Sequence, residues 1–234
     1  GHKEVFLLIV FFTLIRLFVD PSFGLVVDEA PYILYAIHLA LSYVDHPPLV
    51  GWIHAPFFYL LGTHELFARL PAIILFAFTS LLAYRFTLAI SASKKVSWLA
   101  VLSLNSSFMF NALSLMLLPD SILLALVFLL VFVVRKIEES PQLKYFSWLG
   151  LILGLAGLAK YTSILLVPPF LIYLILRQRY DLILSKNMIV SAAVACFLIT
   201  PVLYWNLQND FASFHYQGGH VFGSSSVKLK PFFI

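Results

Sequence analysis

The chain has 234 residues, of which 62% are hydrophobic and 11% are charged, and its formal net charge at pH 7 is +4. A mean hydropathy of +0.97 excludes an ordinary soluble domain, because a chain of this length could not cover so much apolar surface. The composition therefore predicts an integral membrane protein. The basic residues do not indicate nucleic-acid binding, because they lie in short loops between apolar runs.

Apolar runs of about 20 residues, the length that one helix needs to cross the bilayer core, recur along the chain. We predict seven transmembrane helices at residues 4–19, 70–91, 96–117, 119–135, 145–160, 162–177 and 187–204. This topology places ten of the fifteen lysines and arginines on one side. The positive-inside rule makes that side cytoplasmic, with the N-terminus inside.

Residues 20–69 form a long outer loop in this prediction, and residues 205–230 form a second one. Within the first loop, residues 29–44 and 49–62 are each predicted to form a helix lying at the membrane interface. Pro47 and Pro48 separate the two helices, because a proline lacks the amide donor and restricts the residue before it. The predicted fold is thus an all-α polytopic membrane protein, a single domain over 1–234. The closing residues KLKPFFI suggest the start of another apolar segment, so we expect a fragment of a longer protein.

Ionisable residues gather on the predicted outer side, which receives seven of the eleven carboxylates. Charged groups within apolar sequence are costly, so their clustering is a hypothesis of a functional site. Two of the groups interrupt strongly apolar stretches, in YVDHPPLVGW and in LLPDS. The outer set is Asp20, Asp28, Glu29, Asp45, His46, Glu65, Asp120, Lys160, Asp210, His215 and His220.

Capping is the structural alternative for three of these residues. Asp28 is suited to cap the helix that Pro31 begins, although an acidic pair at the head of an interfacial helix also suits a base beside a membrane-borne substrate. Asp45 and His46 could cap the helix that follows the two prolines. The sequence leaves both alternatives open.

Structural alternatives also exist for the basic residues and the later histidines. Considered by itself, Lys160 is typical of a lysine at the end of a span whose side chain extends toward the headgroups. Arg69 fits an interface anchor as well as a site residue. His215 and His220 match no zinc-binding spacing, so a metal site would have to be assembled from distant segments.

Several motifs, in this order, resemble those of a known family. They are VVDEAPYILYAIHLALSYVDHPPLVGW, ELFARLPA, LMLLPDSILL, GLAGLAKYTSILLVPP and TPVLYWNLQNDFASFHYQ. The set resembles the bacterial branch of the dolichyl-phosphate-mannose protein mannosyltransferases, which includes the lipid A aminoarabinose transferases. These are C-type membrane glycosyltransferases, and the resemblance covers residues 5 to 234.

The resemblance implies a polytopic enzyme that takes a sugar from a polyprenyl-phosphate carrier on the outer, periplasmic face of the bacterial inner membrane. It places Asp28 and Glu29 on the family's acidic pair, with the aspartate at the reaction centre. It places Asp45 and His46 on the acidic-basic-proline motif. The chain departs from the aminoarabinose branch in having His46 where lysine is common, and Pro31 in place of an arginine. Both departures weaken the case for aminoarabinose as the sugar.

Roles follow from the chemistry of a polyprenyl-phosphate sugar, whose leaving group is a phosphate. We expect Asp28, helped by Glu29, to act as the base for the acceptor hydroxyl, with inversion at the anomeric carbon. Cationic groups would bind the phosphate, and we assign His46, Lys160 and Arg69 to this role. Asp120 and Tyr161 complete the expected substrate-binding set, by their places in the LMLLPDSILL and GLAGLAKYTSILLVPP motifs.

A divalent metal is the expected cofactor, if one is used. Asp45 could either orient His46 or hold this metal, which would stabilise the leaving phosphate, and His215 and His220 are the further candidate ligands. The expected partners are the lipid-linked sugar donor, membrane lipids and an acceptor that is lipid A, another glycolipid or a protein.

Two other functions compete with the enzyme. A transporter or flippase for a lipid-linked or anionic substrate would place charges near the bilayer midplane, on repeated and broken helices. A non-catalytic scaffold would leave the ordered motifs unexplained.

Overall fold

A computed structural model describes residues 2–19, 29–62 and 64–222, without the side chains of residues 19 and 220–222. The described residues form helices and connecting turns, with no strand. The α-helices, in chain order, are α1 (His2–Val19), α2 (Ala30–Ile37), α3 (Leu49–Leu61), α4 (Glu65–Ser91), α5 (Lys94–Ser106), α6 (Phe108–Leu115), α7 (Pro119–Glu139), α8 (Leu143–Ala159), α9 (Val167–Leu176), α10 (Tyr180–Ile183), α11 (Lys186–Gln208) and α12 (Ala212–Phe222). A 3₁₀ helix, Tyr161–Leu166, precedes α9.

Each predicted membrane span coincides with helix, and the predicted fold class is confirmed as an all-α polytopic membrane protein. Within the described residues, α4 and α11 are long and apolar enough to cross a membrane individually. The consecutive helices α5 and α6 make a third crossing if they are counted together. Helices α3 and α8, and the 3₁₀ helix continued by α9, are apolar but shorter. The number of seven spans stays a prediction.

The first of the two helices predicted within residues 20–69 is shorter than expected, since α2 ends at Ile37 whereas the prediction continued the helix to Val44. The reason is tertiary. The Tyr43 hydroxyl lies 2.8 Å from the Tyr35 carbonyl oxygen, and the Ala40 amide donates back to that hydroxyl at 3.2 Å. The Trp52 indole donates to the Ala40 carbonyl at 3.0 Å. Side chains thus replace the backbone hydrogen bonds that would have continued the helix.

The predicted span 96–117 is broken at Ser107, where α5 and α6 meet at a bend of 70°. No proline causes the break. The Asn111 side-chain amide donates to the carbonyl oxygens of Asn105 and Ser107, at 2.8 and 3.0 Å. Because these carbonyls have a side-chain donor, the backbone can leave the helical path without exposing them to hydrocarbon.

Arg16 of α1 fixes this bend from the neighbouring helix. Its side chain is 4% exposed. The guanidinium donates to Ser114 Oγ at 2.6 Å, Asn105 Oδ1 at 3.0 Å and Asn111 Oδ1 at 2.9 Å. It also lies 4.7 Å from the ring centre of Phe76 on α4. The planar fork of an arginine suits several acceptors at once, so one side chain links α1, α4, α5 and α6.

The predicted span 162–177 begins as a 3₁₀ helix and becomes α-helical at Val167. Pro168 and Pro169 lie in the first turn of α9, where a missing amide donor costs least. An uninterrupted α-helix through these residues would leave two carbonyls without partners. The prolines therefore set the junction.

Helices α8 and α11 pack closely through glycines. A Cβ atom added at Gly150 would lie 2.3 Å from the Ser191 carbonyl oxygen, and one at Gly154 would lie 2.7 Å from the Leu198 side chain. The spacing of four residues places both glycines on one face of α8. Small residues on such a face let two membrane helices approach to backbone contact.

Candidate functional site

Glu29 and Arg69 form a buried ion pair between the start of α2 and the first turns of α4. Arg69 Nε lies 2.8 Å from Glu29 Oε1, and Arg69 Nη2 lies 2.7 Å from Glu29 Oε2. The side chains are 6% exposed for Glu29 and 3% exposed for Arg69. This parallel pairing is the strong geometry for arginine and a carboxylate. In this structure, Arg69 binds Glu29, and the pair joins the start of α2 to α4.

Asp28, the predicted catalytic base, lies outside the described residues. The N-cap position of α2 belongs to Glu29, whose side chain makes no capping hydrogen bond. The carboxylate of Glu29 is instead turned to Arg69. Glu29 thus anchors the start of α2, one residue after Asp28 in the chain.

Asp45 lies in the loop between α2 and α3, and its carboxylate is bound by a tyrosine. The Tyr35 hydroxyl donates to Asp45 Oδ1. Asp45 Oδ2 lies 3.2 Å from His46 Nδ1, although the two atoms are not aligned for a hydrogen bond. The helix α3 has Pro48 as its N-cap and no side-chain cap. Asp45 and His46 therefore do not cap α3, and that alternative is wrong.

The protonation of Asp45 is set by two opposing effects. Burial by itself would raise the pKa of the carboxyl, but the neighbouring His46 and the hydrogen bond from Tyr35 outweigh it and lower the pKa below its ordinary value. Burial and the neighbouring Asp45 raise the pKa of Tyr35. The pair at neutral pH is thus a carboxylate that accepts a hydrogen bond from a neutral phenol.

His46 lies against a second tyrosine of α2. Its Nε2 atom is 3.4 Å from the Tyr32 hydroxyl, and the two rings meet edge to face with centres 5.5 Å apart. Tyr32 and Tyr35 are three residues apart and share one face of α2. This face holds both polar residues of the DHPP motif, and the sequence prediction included neither tyrosine.

Asp120 and Lys160 form the most exposed of these pairs. Lys160 Nζ lies 2.8 Å from both carboxylate oxygens of Asp120, and the side chains are 29% exposed for Lys160 and 53% exposed for Asp120. Asp120 stands in the first turn of α7 and Lys160 at the end of α8. The lysine predicted to meet a phosphate therefore has an exposed carboxylate as its partner.

Tyr161, next to Lys160, contacts the loop between α2 and α3. Its hydroxyl lies 3.0 Å from Ser42 Oγ, and Ser42 is fully buried three residues before Asp45. Of the predicted site residues, the structure thus connects Glu29 with Arg69, Asp45 with His46, and Lys160 with Asp120. We call the end of the bundle that carries these three pairs the loop end.

His54 on α3 is a buried residue that the sequence prediction did not include. Its Nε2 atom lies 2.9 Å from the Ala68 carbonyl oxygen, so this nitrogen carries the hydrogen. Burial lowers its pKa to about 4, so the ring is neutral at pH 7. Its Nδ1 atom has no partner among the described residues. A cavity of about 10 Å³ beside it is lined by Glu29, Tyr32, Ile33, His54, Ala68 and Leu117.

The predicted metal ligands do not come together in the described part of the chain. His215 is an exposed residue of α12, and the side chain of His220 lies outside the described residues. Within the residues that the structure covers, no three His, Cys, Asp or Glu side chains form a group suited to a metal.

The fold and the loop end together define the class: an integral membrane protein, all α-helical, with paired ionisable side chains at one end of the bundle. The family model of the dolichyl-phosphate-mannose-protein mannosyltransferases matches residues 45–205, and the chain belongs to this family. It is also 26% identical over 191 residues to the lipid A galacturonosyltransferase RgtD of Rhizobium johnstonii. That match covers 79% of this chain and 39% of RgtD, so the chain spans well under half of its relative's length. No solved structure matches the chain.

Proposed function

We propose that this chain is part of a membrane glycosyltransferase that transfers a sugar from a polyprenyl-phosphate carrier. The acceptor is lipid A, another glycolipid or a protein, and the reaction takes place at the outer, periplasmic face of the inner membrane. The proposal rests on the side chains at the loop end. Three acid–base pairs meet there in a chain of the mannosyltransferase family.

The chemistry at this end is displacement at the anomeric carbon of the donor sugar. The acceptor oxygen forms the new bond to this carbon while the bond to the carrier's phosphate oxygen breaks. Asp28 takes the proton of an acceptor hydroxyl, and the single displacement inverts the configuration at the anomeric carbon. A phosphate acceptor, as on lipid A, is already anionic and needs Asp28 less as a base.

Lys160 is the cation best placed to receive the donor phosphate. The buried Arg69 has a carboxylate on two of its donor atoms, and opening that pair would separate two charges that are both buried. The Lys160–Asp120 pair is partly open to solvent, and such exposed pairs contribute little to stability, typically about 0–1 kcal/mol. Lys160 can therefore exchange Asp120 for a phosphate at small cost.

A divalent metal does not fit the described side chains as a cofactor centre. The Asp45 carboxylate is bound by Tyr35 and lies beside His46, with no further carboxylate or histidine grouped around it among the described residues. We therefore derive no step of the reaction through a metal. The charge of the leaving phosphate is assigned to Lys160, with His46 as a hydrogen-bond donor.

Membranes containing the full-length parent protein test the proposal. The parent and its Asp28→Asn variant, at matched expression, would be supplied with a panel of labelled polyprenyl-phosphate sugars. Label would then be followed into lipid A, other glycolipids and protein. We expect transfer by the parent and a loss of at least about 100-fold in the variant if the acceptor is a hydroxyl.

Glu65→Gln is the matched control, since Glu65 is another acidic residue of the predicted outer side and starts α4 without taking part in the three pairs. It should keep the parent's rate. Transfer by the parent with equal rates in Asp28→Asn would remove Asp28 as a base. No transfer from any donor would overturn the enzyme proposal.

The broken span α5–α6 is a feature that the transporter hypothesis also predicts. In broken spans of transporters the break lines a substrate site. Here, the break is filled by the chain's own Arg16 and Asn111. This observation favours a structural role for the break, and the glycosyltransferase remains the function we propose.

A further inference from the structure

We propose that helix α12 is a positioning element for the Asp45–His46 pair, and that Gln217 is its principal positioning residue. This inference rests on the function proposed above. It concerns residues 212–217, which lie beyond the region matched by the family model, residues 45–205.

Two side chains of α12 bind the backbone of the loop that carries Asp45. Gln217 Nε2 donates to the Asp45 carbonyl oxygen at 2.7 Å, and Ser213 Oγ donates to the Tyr43 carbonyl oxygen at 2.8 Å. Both acceptors are carbonyls, so Gln217 must present its amide nitrogen and Ser213 its hydroxyl hydrogen. The contacts join residues that are 172 and 170 positions apart in the chain.

Ser213 and Gln217 are four residues apart and face the same side of α12. The loop backbone between their two acceptors is closed by one further bond, from the Tyr43 amide to the His46 carbonyl at 3.1 Å. The helix therefore binds a compact turn through the backbone carbonyls on both sides of Val44. Neither contact touches the Asp45 carboxylate, which stays with Tyr35 and His46.

The turn between α11 and α12 determines where α12 lies. Asp210 and Phe211 both have positive φ angles, 51° and 55°, in the left-handed region that non-glycine residues rarely adopt. Asn206, fully buried, holds this reversal: its backbone carbonyl accepts from the Phe211 amide at 2.8 Å, and its Oδ1 accepts from the Ser213 amide at 3.2 Å. A strained turn held in this way directs α12 onto the loop.

An aromatic contact completes the arrangement on the side of Lys160. Phe214 of α12 meets the Tyr161 ring edge to face, with centres 5.9 Å apart. Tyr161 in turn bonds to Ser42. The helix thus lies against both the Asp45 loop and the residue next to Lys160. A small movement of α12 would therefore change the distance between the Asp45–His46 pair and Lys160. The proposed reaction needs these groups at a fixed separation.

Kinetics of the full-length parent protein in membranes test this inference. Gln217→Met keeps the shape of the side chain and removes the donor, whereas Gln217→Lys restores a donor of similar reach. We expect Gln217→Met to lower kcat by on the order of 10- to 100-fold. The KM for the lipid-linked sugar and the thermal midpoint should be nearly unchanged. Gln217→Lys should recover most of the rate.

Gln208→Met is the matched control, because Gln208 bonds to the Tyr204 hydroxyl on its own helix and to no residue of the Asp45 loop in the described structure. It should behave as the parent. Hydrogen exchange of the 42–46 segment supplies a readout that does not depend on catalysis, and Gln217→Met should speed exchange there.

The outcomes separate the two proposals. Transfer by the parent together with an unchanged kcat in Gln217→Met would overturn the positioning role alone. The positioning role is likewise overturned if Gln217→Met raises only KM, or if its loss of rate matches a loss of folded protein. Absence of transfer by the parent would overturn the proposed function, and the positioning role would fall with it.

Discussion

Glu29 and Arg69, 40 residues apart in the chain, meet as a bidentate ion pair that is almost completely buried. The pair links the segment that follows Asp28 to helix α4. The pair is thus one of the buried contacts that fix the start of α2.

Breaking this pair from one side should be strongly destabilising. Arg69→Met leaves the Glu29 carboxylate buried without the arginine, and we expect a loss of about 3–5 kcal/mol in the free energy of unfolding. The double variant Glu29→Leu with Arg69→Met removes both charges and should recover a large part of this loss. Denaturant unfolding in detergent, analysed as a double-mutant cycle, measures the difference. Losses that simply add would show that the pair carries no coupling energy.

Lys160 should affect donor binding more than stability. In Lys160→Gln the phosphate of the lipid-linked sugar loses its proposed cation. We expect the KM for this sugar donor to rise by about tenfold or more. The thermal midpoint should change little, because the pair with Asp120 is exposed. Lys144→Gln is a suitable control, since Lys144 lies at the opposite end of α8. A Lys160→Gln enzyme with the parent's KM would remove this residue from the phosphate site.

Tyr35 should control the acid sensitivity of the outer loop. The lowered pKa of Asp45 means that its ionised form stabilises the fold above its ordinary pKa of 3.8, and that this contribution is lost as the pH falls through the lowered value. Tyr35→Phe removes one of the interactions that offset burial, so the pKa of Asp45 should rise. Because the contribution depends on the difference between the folded value and the ordinary value of 3.8, the variant should be less stable than the parent at neutral pH and should lose less stability on acidification.

Thermal midpoints measured between about pH 2 and pH 6 would show the smaller decrease in the variant. Tyr59→Phe serves as the control, because Tyr59 is an exposed residue of α3. Parallel pH curves for Tyr35→Phe and the parent would contradict the assignment.

The contact between α8 and α11 should not tolerate a side chain at Gly150. A methyl group there would meet the Ser191 carbonyl oxygen at 2.3 Å, so the helices must separate. We expect Gly150→Ala to cost about 1–3 kcal/mol, despite alanine's better helix propensity. Gly218→Ala is the control, since a Cβ at Gly218 would meet nothing within 4 Å. Equal stability of both variants would argue against close packing at this interface.

The sequence predicted the positions of the long helices well. Residues 119–135 and 187–204 lie within α7 and α11, because hydrophobic length is a local property that needs no knowledge of neighbours. The family resemblance of the motifs was confirmed by the match over residues 45–205. Local rules were less reliable where a side chain from elsewhere intervened. Tyr43 ends α2 early, and Asn111 stabilises a break in an apolar run that looks continuous.

Within the candidate site, the sequence identified several ionisable residues but not their partners. Asp45, His46 and Asp120 stand out because they interrupt apolar sequence, and Lys160 because it ends an apolar run. No spacing links Glu29 to Arg69 or Lys160 to Asp120, since each pair is 40 residues apart. The tyrosines of α2 and the buried His54 gave no signal, because aromatic and histidine side chains in apolar sequence usually belong to the core.

By itself, the sequence determined the membrane environment, the helical class and the family, because hydropathy and ordered motifs are written along the chain. The tertiary structure alone decided which charged side chains are buried in pairs and which stay partly open to solvent. Glu29 and Arg69 form their ion pair inside the protein, whereas Lys160 pairs with an exposed carboxylate. The tertiary structure also decided that α12 reaches back 172 positions to hold the backbone of Asp45. The physical reason is that desolvation and hydrogen-bond pairing depend on distance in space, which the order of residues does not contain.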